Sequence, residues 1–428
     1  MSSTRNLLSS RGTSSTKAKA RALLARHVPW HLHLNPCRHA LARAVHSGPE
    51  ARGFVEPKSK SKSKTKIIRD VLSPTPSHLL TLLLSDMLRG GHEHATPPTA
   101  ASDTAHHPPA SEPSLDTHTY DSSPPASLFT APRALPPGHS LVYFPLQAPA
   151  SQLAPDGADA DHVPEPRFSR RLWAGGELSF RRRGEPSSPG AAEGQGKGNG
   201  EGNGKGKGRL LLDGSPWTCR EDVRGVKRSA GGAGGERYMV RLERLYARGL
   251  GAEAGSMDAD WDWDIRETRT LVFKRGDAAM PHAPHAGEYA AHFTPTPAHL
   301  FHFSALTYNA HGIHIDPLAA RRDGHPALLV HGPLTLALML RVLGDRLGPR
   351  GGRVVNFAYR NYAPLYVAQR AAVRVRRIQR PEDGPARQDE SYEVWIENGE
   401  GGVAASGTAT VELEEPWYQA RPRAAFMQ

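Results

Sequence analysis

Apolar positions are packed most densely in residues 301–347, FHFSALTYNAHGIHIDPLAARRDGHPALLVHGPLTLALMLRVLGDRL. Its C-terminal part sets Leu334, Leu336, Ala337, Leu338, Leu340, Val342, Leu343 and Leu347 around most of a helical circumference. That pattern predicts a buried helix over 333–347. The segment is too short to span a bilayer, and Arg341, Asp345 and Arg346 charge it. Pro333 suits the first helical turn, where its missing N–H costs nothing. Ahead of the helix the chain starts strand-like at Phe301 and passes through a loop dense in Asn and His. A second helical pattern covers 67–88, with Leu79, Leu80, Leu82, Leu83 and Leu84, and stops at Gly90-Gly91. Residues 135–144 read as a turn and a short strand. In 166–180, an Arg pair, Trp173 and a Gly turn lead into another strand. Alternation or β-branched content predicts further strands over 238–246, 265–273, 353–360, 365–378, 391–397 and 403–413. One long buried helix among antiparallel strands is an α+β layout.

The polar stretches set the boundaries. A chain of 428 residues has room for two domains, yet with 38% hydrophobic residues and frequent Gly and Pro a good part is expected to stay unpacked. The Lys/Ser run KSKSKSKTK within 53–66 is a solvated connection. Residues 92–132, rich in Pro, Ser, Thr, His and Ala, are expected to be disordered. His92, His94, His106 and His107 belong to that polar tract and are not read as metal ligands. Residues 184–208 form a Gly-rich insertion, and 229–235 a smaller one. Their GxG steps have no flanking strand and helix, so a linker is read rather than a phosphate cradle. Residues 276–297 form a Pro/His-rich connection.

Charge and cysteine usage bear on compartment. No Asp or Glu precedes Glu50, while Arg5, Arg11, Lys17, Lys19, Arg21, Arg26, Arg38 and Arg43 lie among Ser, Ala and Leu. This is the composition of an organelle transit peptide, with a disordered basic tail as the alternative. The net charge of +11 owes much to that leader, so no nucleic-acid partner is inferred. Cys37 and Cys219 are too far apart for a disulfide framework or a metal spacing, which fits a reducing compartment. No apolar run is long enough for a membrane helix.

Residues 304–314, followed by His331-Gly332-Pro333-Leu334, resemble the hydratase motif of MaoC-like hot-dog enzymes. Within these enzymes they are most similar to the group that includes mitochondrial hydroxyacyl-thioester dehydratase type 2 and mesaconyl-CoA hydratase. The common pattern is Gly-Asp-x-Asn-Pro-x-His, and the corresponding run here is Tyr308-Asn309-Ala310-His311-Gly312-Ile313-His314. Aligning the motif histidine with His314 puts Asn309 where most hydratases carry Asp, and His311 where they carry Asn. The usual Asp-plus-His acid/base pair is thus altered, although the Asn-x-His-x-x-His form resembles this subgroup. Residues 135–144 and 166–180 resemble the N-terminal half of the same group, and 265–273 its closing first-unit strand. The resemblance implies a double hot-dog, two units that are each a curved antiparallel sheet around a long helix. The expected division is a transit-like leader at 1–48, a diverged first unit at 53–275 with the insertions 92–132 and 184–208, and a catalytic second unit at 285–418.

The implied reaction is reversible dehydration of a (3R)-3-hydroxyacyl thioester in mitochondrial fatty acid synthesis, in the matrix. It requires a base for the α-proton, a group for the departing hydroxyl, and donors for an enolate-like thioester oxygen. His314 is the candidate base, since imidazole titrates near working pH. Asn309 can hold the hydroxyl or water by its amide. His311 is either a second acid/base or a loop-ordering residue. The Gly332 N–H, at the helix start, is the candidate oxyanion donor. Arg170 and Arg171 could meet the phosphates of a pantetheine-bearing substrate, or form a salt-bridged corner carrying Trp173. Asp316 orients a histidine or caps the next turn, while His302 and His325 are read as surface or structural. The implied partner is acyl carrier protein or a CoA thioester, with a homodimer compatible and no cofactor or metal needed. Two alternatives stand beside this reading: hydration of a small branched diacid CoA such as mesaconyl-CoA, and a non-catalytic acyl-thioester-binding protein.

Overall fold

From the N-terminal side, β1 (Thr65–Val71) runs into α1 (Pro74–Arg89), and the short strand β2 (Arg133–Ala134) follows. The chain continues through β3 (Arg171–Phe180), β4 (Leu211–Leu212), β5 (Pro216–Ser229), β6 (Arg237–Arg248) and β7 (Ile265–Lys274). A second series comprises β8 (Tyr289–Phe293), α2 (Pro297–Thr307), α3 (Pro317–Arg322), α4 (Gly332–Leu347), β9 (Gly352–Asn361), β10 (Ala371–Ile378), β11 (Asp389–Asn398) and β12 (Val403–Leu413). The computed structural model describes residues 65–89, 133–165, 168, 170–182, 211–229, 236–250, 263–274, 287–378 and 389–413. The transit-like leader and the insertions at 92–132 and 184–208 lie outside the described residues, as do 53–64 and 276–286 of the two connections.

Ten strands form one antiparallel sheet in the order β1-β5-β6-β7-β3-β9-β12-β11-β10-β8, and β2 pairs with β4 beside it. The order repeats itself. In each half the strands taken along the chain lie first-third-fourth-fifth-second, with β1, β3, β5, β6 and β7 in one half and β8, β9, β10, β11 and β12 in the other. The two second strands, β3 and β9, join the halves antiparallel from Gly175 opposite Arg360 to Ser179 opposite Asn356. In both halves a helix is inserted between first and second strand, α1 in one and α4 in the other. This is a double hot-dog.

The buried helix predicted over 333–347 is α4. It buries every residue from Leu334 to Leu340 together with Val342, Leu343 and Leu347, and packs on β9, β10, β11 and β3. The other expectations fared unevenly. The strand-like start at Phe301 is a helix, α2, because Thr296 and Pro297 initiate one. Thr296 Oγ1 accepts the His299 N–H, His299 Nδ1 accepts the Thr296 N–H, and Pro297 occupies the first turn. Residues 67–71 belong to β1, paired with β5, and the helix starts only at Pro74. Residues 139–142 form a 3-10 turn rather than a strand. Only the Ala371–Ile378 part of 365–378 is extended in the sheet. In 166–180 the glycines lie inside β3, at a register shift, instead of forming a turn before it. Four strands, β5, β8 and the two-residue β2 and β4, were not anticipated. No helix among the described residues is long and apolar enough to cross a membrane.

Candidate active site

The motif loop is positioned by the way α2 ends. Tyr308 takes left-handed backbone angles (φ 52°, ψ 40°), the Tyr308 N–H donates to the Ala305 carbonyl, and the Asn309 N–H donates to that of Ser304 at 2.8 Å. This is a helix stop normally built on glycine. For a tyrosine the conformation costs about 1 kcal/mol, and local strain of this sort gathers at functional sites. Asn309 then turns the chain, its Oδ1 accepting the His311 N–H at 3.0 Å. Because a backbone N–H must donate to oxygen, this bond orients the amide and leaves the Nδ2 hydrogens as donors. A 3-10 turn, Gly312–His314, follows, and Asp316 caps α3 by accepting the Leu318 N–H at 2.8 Å.

Three histidines converge. His314 Nδ1 lies 2.8 Å from the Leu329 carbonyl. A carbonyl only accepts, so Nδ1 carries the proton and Nε2 keeps its lone pair. The His314 ring stacks on His331 at 3.7 Å between centroids and meets His311 edge-on at 5.4 Å. His331, fully buried ahead of α4, is hydrogen-bonded through Nε2 to Ser304 Oγ at 2.8 Å. Burial, more than any neighbour, lowers the pKa of all three. His311 falls to about 3, with Arg171 and His325 contributing, and His314 to about 3, with His311 and His325 contributing. His331 falls well below its usual value, with His314 and His311 adding to burial. All three are neutral imidazoles at pH 7.

Gly332 is the first residue of α4, so its N–H has no intrahelical acceptor. A Cβ at this position would lie 2.7 Å from Trp173 Cβ and 2.9 Å from Asn361 Nδ2, so only glycine lets α4 start this close to β3. The contact is pinned by Asn361, whose Nδ2 donates to the Trp173 carbonyl at 2.9 Å and whose Oδ1 accepts from Thr335 at 3.2 Å. The start of α4 thereby presents a fixed donor beside the histidine cluster.

The two arginines part company. Arg170 is half exposed, 3.7 Å from Asp323, and donates to the Arg322 carbonyl at the end of α3. Arg171 is buried, donates to the Asp159 carbonyl at 2.6 Å and covers the Phe273 ring. His302 is exposed, and His325 is hydrogen-bonded to Tyr366. The stacking of His331 on His314 and the Trp173–Asn361 clamp at the start of α4 are not legible in the sequence. Nor is Asp156, whose carbonyl accepts the Gly312 N–H at 2.9 Å. No short-range motif marks that residue.

Asp159, His162 and Glu221 hold ligand-type atoms within 4.8 Å of one another. Cations of the protein already fill that space. Lys66 Nζ lies 2.8 Å from Asp159 and 2.9 Å from Asp161, and Arg244 Nε lies 3.2 Å from Glu221. Burial alone would raise the Glu221 carboxyl, but His162 and Arg244 hold it far below its usual range. The cluster is an ion-pair network behind Arg171.

The profile of a family described as hydroxyacyl-thioester dehydratase type 2 matches residues 138–193 and 200–367. Mesaconyl-C(4)-CoA hydratase of Chloroflexus aurantiacus is 27% identical over 253 residues, 57% of this chain and 75% of that protein. The mitochondrial hydroxyacyl-thioester dehydratase type 2 of Schizosaccharomyces pombe is 26% identical over 249 residues, 55% of this chain and 76% of its own. A solved MaoC-like dehydratase superposes with a TM-score of 0.50 at 11% identity, covering 82% of this chain and 98% of that one. The match spans β3 to β9, with the motif loop and the start of α4, and the chain belongs to the hydroxyacyl-thioester dehydratase type 2 family of hydro-lyases.

Proposed function

We propose that this protein dehydrates (3R)-3-hydroxyacyl thioesters to trans-2-enoyl thioesters, reversibly, in mitochondrial fatty acid synthesis. The observation that carries the reading is the pairing of one tautomer-fixed imidazole, His314, with the free N–H of Gly332 at the head of α4. His314 Nε2 takes the C2 proton, and the electron pair moves toward the thioester oxygen, where the Gly332 N–H stabilises it. The C3–O bond then breaks as the C2=C3 bond forms, and the departing hydroxyl takes the proton from His314 and leaves as water. The imidazole ends neutral, as it began. Asn309 Nδ2 donates to the hydroxyl oxygen and holds it on the face of His314. Arg170, exposed at the end of α3, is available to phosphates of a CoA or acyl-carrier-protein substrate. Arg171 is buried and supports the site from behind.

The test is hydration of crotonyl-CoA by protein lacking residues 1–48, followed at the enoyl absorbance and extended to longer acyl chains and acyl-carrier-protein thioesters. Turnover is expected, and its absence across the panel would favour the non-catalytic binding reading. Mesaconyl-CoA belongs in the same panel because of the similarity to a mesaconyl-C(4)-CoA hydratase. For localisation in the matrix, a fluorescent fusion of residues 1–48 is expected to enter mitochondria. Diffuse cytosolic signal would overturn that part.

A further inference from the structure

Beside His311 lies a group of polar atoms that these steps leave unused. Asp156 Oδ2, His311 Nε2, and Nε and Nη2 of Arg171 are all buried with no hydrogen-bond partner among the described residues. They face one another: Asp156 Oδ2 is 3.4 Å from His311 Nε2 and 3.8 Å from Arg171 Nε. A buried polar group left unpaired costs about 1–3 kcal/mol, so a carboxylate, an imidazole and a guanidinium converging in this way call for a role.

The turn carrying Asp156 is shaped for the approach. The Ala154 N–H donates to the Ala158 carbonyl and the Gly157 N–H to that of Ala154, each at 2.8 Å. The Ala158 N–H donates to Asp156 Oδ1 at 3.1 Å, which occupies one carboxylate oxygen and leaves the other toward His311. Gly157 has φ +84°, and a Cβ there would lie 2.1 Å from the Ala310 carbonyl oxygen. The turn and the motif loop therefore touch backbone to backbone, and only glycine permits it.

We propose that Asp156, from the first half of the chain, is the carboxylate partner of His311: it accepts the Nε2–H, fixes that tautomer, and turns the Nδ1 lone pair to the hydroxyl of the substrate. The inference rests on the proposed dehydration. In it, the β-hydroxyl keeps its own proton, donated as a hydrogen bond to His311 Nδ1, while the proton from C2 arrives by way of His314. Asn309 stands where the motif usually has its carboxylate, and Asp156 supplies one from across the seam between the halves. The charged and titratable groups facing His311 are Asp156 and Arg171 from the first half, and His314 and His325 from the second. Burial and Arg171 keep the ring neutral, so Asp156 selects a tautomer rather than a charge. Asp156 is a positioning residue.

The test combines Asp156→Ala, Asp156→Asn, His311→Gln and the double variant Asp156→Ala/His311→Gln, with melting temperature measured before rates. Asp156→Ala is expected to lower kcat on the order of tenfold or more with KM within about twofold. Asp156→Asn should retain more activity, since its amide oxygen still accepts. The double variant should be no slower than His311→Gln alone, because one residue acts through the other. Multiplicative losses would overturn the proposal. Should Asp156→Ala not fold, the wild-type chain labelled with 15N-histidine decides, its His311 resonances identified by their loss in His311→Gln. A neutral Nε2–H tautomer is expected, and an Nδ1–H tautomer or an imidazolium at pH 7 would overturn it. The label needs no turnover, so a chain that fails to hydrate any enoyl thioester refutes the proposed reaction independently of this arm.

Discussion

His314→Ala is expected to cut turnover about a hundredfold or more, the usual contribution of a positioned proton-transfer group. The substitution removes the imidazole whose Nδ1–H is held by the Leu329 carbonyl and whose Nε2 lone pair is the proposed base. Asn309 and Gly332 stay in place, so positioning and oxyanion stabilisation should leave a residual rate. A folded His314→Ala chain with wild-type kcat would move the chemistry elsewhere. The pH profile carries a second signature. Burial has taken His314 down to about 3, so the base remains competent well below the pH at which a solvated histidine is protonated. The acid limb should instead reflect unfolding. A histidine whose folded pKa is lowered binds its proton more readily in the unfolded chain. Stability is therefore full above about 6.5, the ordinary histidine value, and declines as pH falls from there toward 3. His311, His314 and His331 all act in this direction, as does His139, buried and lowered to about 4. Activity should hold level from pH 8 to about 6.5 and then fall together with the melting temperature.

Leu338→Asp is expected to abolish folding. Leu338 is fully buried in α4, against a core drawn from both halves of the sheet. Placing a carboxylate there costs several kcal/mol even after protonation, against a total stability of about 5–15 kcal/mol for a typical domain. Leu338→Ala, which opens a cavity without burying charge, should cost about 2–5 kcal/mol and leave a melting transition. A soluble Leu338→Asp protein with a cooperative melt would show that α4 is not the core element.

The elements visible in the sequence are those whose burial is written in apolar residues. α4 is apolar nearly all round, and β9, β11 and β12 alternate or carry β-branched residues. β5 escaped because its buried positions include Thr218, Glu221 and Asp222, paired with Gly249 and Arg244 from the neighbouring strand and its end, with His162 from a 3-10 turn, and with Arg220 on β5 itself. Charged residues at buried positions imitate a solvated loop until their partners are known. β8 is five residues long at a sheet edge, within a Pro/His-rich stretch. α2 was missed because its alternating FHFSALT suggested a strand, while the deciding signal, a Thr-Pro cap, lay five residues upstream of Phe301. At the site, the Asn-His loop and the Gly-Pro helix start are local and legible. Asp156 lies 155 positions ahead of His311, and only folding of the two halves against each other brings them together.

That seam also fixes a stoichiometry. Each half leaves the sheet between its first and second strands, after Val71 in one and after Phe293 in the other. In the proposed reaction the two excursions do not furnish a centre apiece. Besides the contacts of Asp86 with His299 and of Arg170 with Asp323, they meet where Asp156 and Gly157 lie against Ala310, His311 and Gly312. With the proposed centre at this contact, a fold that repeats itself carries one reaction centre per chain, and a tight-binding thioester is expected to saturate the protein at one equivalent rather than two.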